Sequence, residues 1–477
     1  MISFIISVVA LVLGYLFYGK FIEKLIGIDE NRKTPAIEIA DGLDFVPLPM
    51  WKSFLIQFLN IAGTGPIFGA IAGAMWGPWA FVWIVFGCIF GGALHDFLVG
   101  IMSTRSKGVS ISELVGQNLG EVARKIMIVF SVVLLILVGV VFIASPADLL
   151  ADLTGVNRWV FVIFIFIYYL IATILPIDKV IGKIYPVFGI ALFIMAFGII
   201  GSMAFNGMIA EIPEFSFANP HVAGKSIFPY VCISIACGAV SGFHATQTPL
   251  MARCITNEKQ SRKVFYGAMI SEGVVALIWA AAAMTFFGSY QGLADAGPAA
   301  VVVNKISHGL MGPVGMVLAV LGVVACPITS GDTAFRSTRL ILGDAFKIDQ
   351  SKKMNRYIIV LPMFLIAAAL LFIDFNIIWR YFSWSNQTLA CIALWTGAAW
   401  LRKGGKNYVV ALIPAIFMTV VCTTYILVAP EGFYGLIIDI IPNIKTAELV
   451  GVCIGVVLAA VATFALIKKI EPNSAEI

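Results

Sequence analysis

Two short polar interruptions carry the chemical interest of this chain. The first is Asn60-Ile-Ala-Gly63-Thr64-Gly65-Pro66, set inside an otherwise apolar stretch. The second, Cys237-Gly-Ala-Val-Ser241-Gly242-Phe243-His244-Ala-Thr246-Gln247-Thr248-Pro249, interrupts another. Glycine reaches backbone angles that other residues avoid, and proline withholds a donor yet starts a helix well at its first position. A helix restarting after Gly63-Thr64 aims free amides and a positive dipole end at the gap, which suits a carboxylate or another anion. Asn60, Gly63, Thr64, Gly65 and Pro66 are therefore candidate substrate contacts; a simple kink would need fewer special residues. Ser241, Gly242, Phe243 and His244 are their counterparts at the second interruption. His244 can hydrogen-bond a substrate or take part in proton coupling, because its charge changes near neutral pH. The blander role, a hydrogen-bond donor between helices, is open to any single histidine.

Acids inside apolar segments are costly unless paired or functional. Asp96 in His95-Asp96, Glu272, and Asp332 within Thr329-Ser330-Gly-Asp332-Thr333 are the candidates for ion coupling. Each could instead serve as a structural partner of Arg105, Arg336 or Arg339. The hydroxyls of Thr329 and Ser330 would suit a Na⁺ site if they faced unwound backbone carbonyls. In Trp379-Arg380-Tyr-Phe-Ser-Trp-Ser385-Asn386-Gln387 the last two residues must find partners at membrane depth. Asn386 joins the candidate substrate contacts. His95, His244 and the eight cysteines show no local ligand spacing, so neither a metal nor a cofactor is expected. The cysteines read as small buried hydrophobes.

These residues need a membrane-embedded scaffold. The chain is 60% hydrophobic and only 12% charged, with a mean hydropathy of +0.99. A water-soluble protein could not cover that much apolar surface. Thirteen apolar stretches of about membrane-spanning length are predicted at 2–20, 50–71, 78–102, 125–145, 158–176, 183–205, 226–249, 265–288, 311–334, 355–374, 378–401, 407–428 and 447–468. The first has no positive leader and no clear cleavage site, so it reads as a retained helix. Of 31 Lys and Arg residues, 26 fall on one side of this alternation. Only Arg158, Lys225, Lys305, Arg380 and Lys445 fall on the other. The rich side is expected to be cytoplasmic, with the N-terminus outside and the C-terminus inside.

Backbone that leaves the helix at membrane depth must be buried in protein or line a cavity. Five spans in 50–205 and five in 226–401 each open with an interrupted helix, and the two blocks enter from opposite sides. That is the inverted repeat of a LeuT-like five-plus-five transporter, an all-α polytopic membrane protein. Residues 1–49 form a peripheral N-terminal helix and cytoplasmic loop, and 407–477 two C-terminal helices and a cytoplasmic tail.

The residues also carry a resemblance. Asp44-Phe-Val-Pro47, Gly63-Thr-Gly-Pro66, His95-Asp96-Phe97, Ser103-Thr-Arg105 with Gly108, and Ser241-Gly-Phe-His244 follow in an order that resembles the carbon starvation (CstA) family. Glu272 in Tyr266-Gly-Ala-Met-Ile-Ser-Glu, Asp332 with Arg336 and Arg339, and Trp379 through Asn386-Gln387 extend it over nearly the whole chain. The resemblance implies a bacterial inner-membrane transporter of the amino acid–polyamine–organocation superfamily. It implies uptake of peptides, or pyruvate in some relatives, during nutrient limitation, with proton coupling. The chain departs from longer relatives where two histidines precede the first break; Ile56 and Gln57 stand there. The segment after His244 is shorter and the C-terminal part is reduced.

The expected function is secondary active import of small peptides or a small carboxylate such as pyruvate, coupled to H⁺ or Na⁺. The expected partners are those solutes, the coupling ion and the lipid bilayer, with no nucleic acid. An uncoupled channel or facilitator, or a membrane nutrient sensor, would show the same broken helices. An enzyme is not expected, since no nucleophile–base pair, metal motif or phosphate loop is present.

Overall fold

In the computed structural model, residues 1–471 are described except 43, 174–176 and 351, with side chains throughout save at 177–185, 353 and 376. The end of the fifth predicted span, 174–176, and residues 472–477 of the tail lie outside the described residues. The chain is helical, and the apolar stretches explain where each helix forms. Helix α1 spans Ile2–Ile26. α2, Met50–Ala62, and α3, Gly65–Gly73, are the two halves of the first interrupted helix and meet at a bend of 46°. α4 runs Trp79–Arg105, α5 Ile111–Leu119, α6 Glu121–Thr154, α7 Arg158–Ala172 and α8 Pro186–Phe205. The second interruption separates the short α9, Tyr230–Ser234, from α10, Gly242–Ala252.

α11 is Glu258–Phe286, and α12, Ala299–Ala319, leads almost directly into α13, Ala325–Phe346. α12 bends at Gly312, where φ is +58° just ahead of Pro313. α14 is Lys353–Leu370, α15 Phe375–Lys403, α16 Val409–Val428 and α17 Ile444–Lys469. Among the described residues eight helices are long and apolar enough to cross a membrane, or nine with the bent pair counted as one. Each of the thirteen predicted stretches falls on helix, but several are shorter or more broken than a simple span. The stretch 226–249 yields two short helices because residues 235–241 leave the helical conformation. α15 is long but polar in its first half, where Arg380, Ser383, Ser385, Asn386 and Gln387 lie.

Large apolar side chains cover the outer faces: Phe17, Phe164, Leu365 and Phe464 are each more than two-thirds exposed or close to it. Lipid accepts such a surface, and the helices satisfy their own backbone groups as lipid requires. The protein is therefore multi-pass. The interrupted helices lie at the buried centre: α2 contacts α8, α11 and α13, and α10 contacts α4, α2 and α15. α6 and α13 pack along each other. The α16–α17 pair is a tight hairpin, where a Cβ on Gly455 would stand 2.8 Å from Val420 Cα. Small residues at such a seam let helices approach closely.

Candidate functional site

The first break is imposed by Gly63, whose φ of +44° and ψ of −142° suit no side-chain-bearing residue. A Cβ there would also meet the Phe142 ring at 2.6 Å. Thr64 then caps α3, with its carbonyl taking the amides of Ile67 and Phe68. Pro66 sits in the first turn, where its missing N–H costs nothing. The second break is a turn over residues 236–239, closed by the Ala239 and Val240 amides onto the Ala236 carbonyl, with Gly238 at φ +89°. The two breaks touch: a Cβ on Gly65 would lie 2.2 Å from Cys237 Cβ, and one on Gly238 3.6 Å from Pro66 Cα. The predicted residues of the two interruptions are thus brought together.

Asn386 of α15 closes the second break. Its Oδ1 accepts the Phe243 amide at 2.6 Å, and its Nδ2 donates to Ser241 Oγ at 3.0 Å. This side chain does for the start of α10 what an N-cap residue normally does from its own helix. Gln387 Nε2 donates to the Cys232 carbonyl at 2.8 Å, holding α9 as well. Asn60 Oδ1 and Thr64 Oγ1, both buried at the first break, have no hydrogen-bond partner among the described residues. Buried polar atoms of this kind call for a ligand or water.

Beside the breaks lies a fully buried cluster of imidazoles and carboxylates. His244 Nδ1 stands 3.3 Å from Asp96 Oδ2, and its Nε2 3.4 Å from Glu272 Oε2. His95 Nδ1 is 3.0 Å from Asp96 Oδ1. None of these atoms achieves hydrogen-bond geometry, and all four side chains are 0% exposed. Asp96 and Glu272, separate in sequence, are therefore joined through His244. Cys237, His244 and Glu272 each place a ligand atom within 4.8 Å of the others. This donor set suits a metal, and no local spacing in the sequence reveals it. Cys237 and His95 were the residues that sequence reasoning left out of the site; the position of Cys237 inside the second interruption was the available signal.

The other ion-coupling candidates divide. Ser330 Oγ donates to the Leu59 carbonyl at 2.9 Å, so α13 does face the end of α2. Its hydroxyl and that of Thr329 also serve the Cys326 carbonyl, at 3.0 and 2.7 Å. Asp332 belongs to a different group, with Oδ1 4.0 Å from Arg336 Nη2. That group is a latch at the Lys/Arg-rich end, where Asp44 on the loop before α2 meets Arg339 at 3.3 Å and Arg336 at 3.7 Å. Burial alone would raise the Asp44 carboxyl, but the charges of Arg339, Arg336 and Arg253 outweigh it and hold the group below the usual carboxylate range.

A model of the family described as carbon starvation protein CstA matches residues 1–154, 145–308 and 288–425. The chain belongs to the CstA family. A membrane protein of Haemophilus influenzae is 41% identical over 348 residues, 62% of this chain and 94% of that protein. The peptide transporter CstA of Campylobacter jejuni is 28% identical, covering 86% of this chain and 77% of its own. The pyruvate/proton symporter BtsT of Escherichia coli is 26% identical over 57% of this chain, and the match spans 47% of its length. Among solved structures, a mutant of the Eremococcus coleocola manganese transporter aligns with a TM-score of 0.58 at 12% identity, over 90% of this chain and 99% of that one. Mhp1, a nucleobase-cation-symport-1 family transporter, aligns at 0.54 and 13%, over 88% and 93%. At such identity the likeness is one of fold, the LeuT-like transporter fold. The named relatives and the structural neighbours are transporters.

Proposed function

We propose that this CstA-family protein imports small peptides, or a small carboxylate such as pyruvate, across the bacterial cytoplasmic membrane during carbon limitation. The observation that carries the reading is the meeting of the two helix breaks at the buried centre, with unpartnered Asn60 and Thr64 atoms and the amide end of α3 beside them. A carboxylate placed there gains the Thr64 hydroxyl as a donor and the favourable dipole of α3, while the Asn60 Oδ1 acceptor suits an N–H of a peptide substrate. Asn60, Gly63, Thr64, Gly65, Pro66, Ser241, Gly242, Phe243, His244 and Asn386 make up the substrate site. The names of the relatives support the substrate classes, and the name of the Escherichia coli symporter supports H⁺ over Na⁺ as the coupling ion. Asp96, Glu272 and Asp332, with Thr329 and Ser330, are the groups available to that ion. Residues 50–205 and 226–401 act as two inverted repeats that rock about this centre, with 1–49 and 407–477 outside the moving core. The N-terminus faces outward and the C-terminus the cytoplasm, as the Lys/Arg distribution supports.

Proteoliposome uptake tests the reading. Labelled dipeptides and pyruvate should accumulate against their gradients when a proton gradient is imposed, and exchange downhill without one. Flux indifferent to both imposed H⁺ and Na⁺ gradients for every solute tried would replace symport by facilitated passage.

A further inference from the structure

We infer that Cys237, His244 and Glu272 form a binding site for one soft divalent cation of the zinc class. The three side chains come from separate pieces of backbone: the turn before α10, the first turn of α10, and the middle of α11. Cys237 is 2% exposed and the other two 0%. Ligand bonds of about 2.0–2.3 Å at tetrahedral angles place ligand atoms roughly 3.3–3.8 Å apart. The His244 Nε2–Glu272 Oε2 separation of 3.4 Å already lies in that range, and the remaining ligand separations stay within 4.8 Å.

A second observation is independent of this spacing. Neither nitrogen of His244 and neither carboxylate oxygen of Glu272 has a hydrogen-bond partner among the described residues. Buried groups left in that state cost free energy that a cation would recover. The surroundings are also those a ligating imidazole needs. With Nε2 toward the ion, Nδ1 faces Asp96 Oδ2 at 3.3 Å, and Asp96 is braced on its other oxygen by His95. A carboxylate on the far nitrogen fixes the tautomer and strengthens the imidazole as a ligand. Ser241 Oγ at 3.3 Å and Asn386 Nδ2 at 3.6 Å can each donate to a Cys237 thiolate.

The donor types choose the ion. Mg²⁺ and Ca²⁺ want oxygen alone, whereas a thiolate with an imidazole selects zinc and its soft neighbours. Three protein ligands leave a fourth position for water or for one oxygen of a bound carboxylate. Binding takes the thiolate, so the Cys237 proton leaves to solvent as the metal–sulfur bond forms. The ion ties the second break to α11. On the transport reading above, occupancy would hold the cycle in one arrangement and inhibit uptake.

The site is tested on the purified full chain in detergent, stripped with a chelator and loaded with Co²⁺ or Zn²⁺ alone. The wild type should retain one ion per chain through gel filtration, show a thiolate-to-cobalt charge-transfer band, and melt higher as free Zn²⁺ rises. Cys237→Ser should lose the band and bind Zn²⁺ at least tenfold more weakly. His244→Gln should also bind at least tenfold more weakly, a second variant should Cys237→Ser fold poorly. Cys453→Ser, altered at an exposed thiol on α17, should keep both band and affinity. Substoichiometric metal in the wild type, or a band that survives Cys237→Ser, overturns the site. None of these readouts involves uptake, so they stand or fall separately from the transport assignment.

Discussion

At the residue scale the site is defined by side chains that have no room to be anything else. Gly65 lies against Cys237, and one added methyl would overlap the Cys237 Cβ. Gly65→Ala should therefore force the two breaks apart and abolish uptake, and Gly65→Ala combined with Cys237→Gly should restore a measurable fraction in the same proteoliposome assay. Asn386 supplies the capping contact for α10 from a distant helix. Asn386→Leu keeps the branched side-chain shape but leaves the buried Phe243 amide without an acceptor, a loss of about 1–3 kcal/mol. The melting temperature in detergent should fall accordingly, and uptake with it. Asn386 was recognisable in the sequence as a polar residue inside a span that needed a partner. Its partner was not, because the Phe243 amide becomes an orphan only when the chain breaks at 235–241.

Between elements, two charged contacts hold loops to helices at the Lys/Arg-rich end. Arg105 at the end of α4 donates to both oxygens of Glu258, at 2.7 and 2.9 Å, and to the Gly27 carbonyl just past α1 at 2.8 Å. Glu258 in turn takes the Asp29 amide at 2.7 Å. Removing one partner of a buried pair leaves the other uncompensated, so Glu258→Gln should destabilise by about 3–5 kcal/mol, read as a melting shift. The second contact is the latch from Asp44 to Arg336 and Arg339. Its carboxyl titrates below the ordinary value, so its contribution is complete above about pH 4 and is lost only as pH falls through the depressed folded value. Asp44→Asn should accordingly lower the melting temperature by the same amount at pH 5 and pH 8, and the gap to wild type should close only in stronger acid. A gap that closed between pH 8 and pH 5 would remove the arginines as the cause. Asp332, a coupling candidate as an acid at the end of an apolar stretch, stands 4.0 Å from Arg336, one helical turn on.

For the whole molecule, the charge distribution predicts which face meets the cytoplasm. A fluorescent protein fused after the C-terminus should fluoresce in cells, and alkaline phosphatase at the same place should be inactive. The opposite pair of results would invert every orientation given above. Orientation follows from the Lys/Arg count because moving charged loops across a bilayer is costly whatever the helices do afterwards.

Helices, breaks and membrane residence follow from the sequence alone, since hydrocarbon obliges each apolar stretch to satisfy its own backbone and Gly63, Pro66 and Gly238 forbid it locally. Asn60, Thr64, Ser241 and His244 were legible for the same reason: they stand where the helix stops. Which acid meets which base was not. Asp96, His244 and Glu272 are far apart in the chain, and their meeting depends on how α4, α10 and α11 pack. Side-chain distances of 3.3 and 3.4 Å are settled by that packing, to which local patterning is blind. The same packing brought Cys237 to His244 and Glu272, turning a cysteine read as a small hydrophobe into a potential ligand.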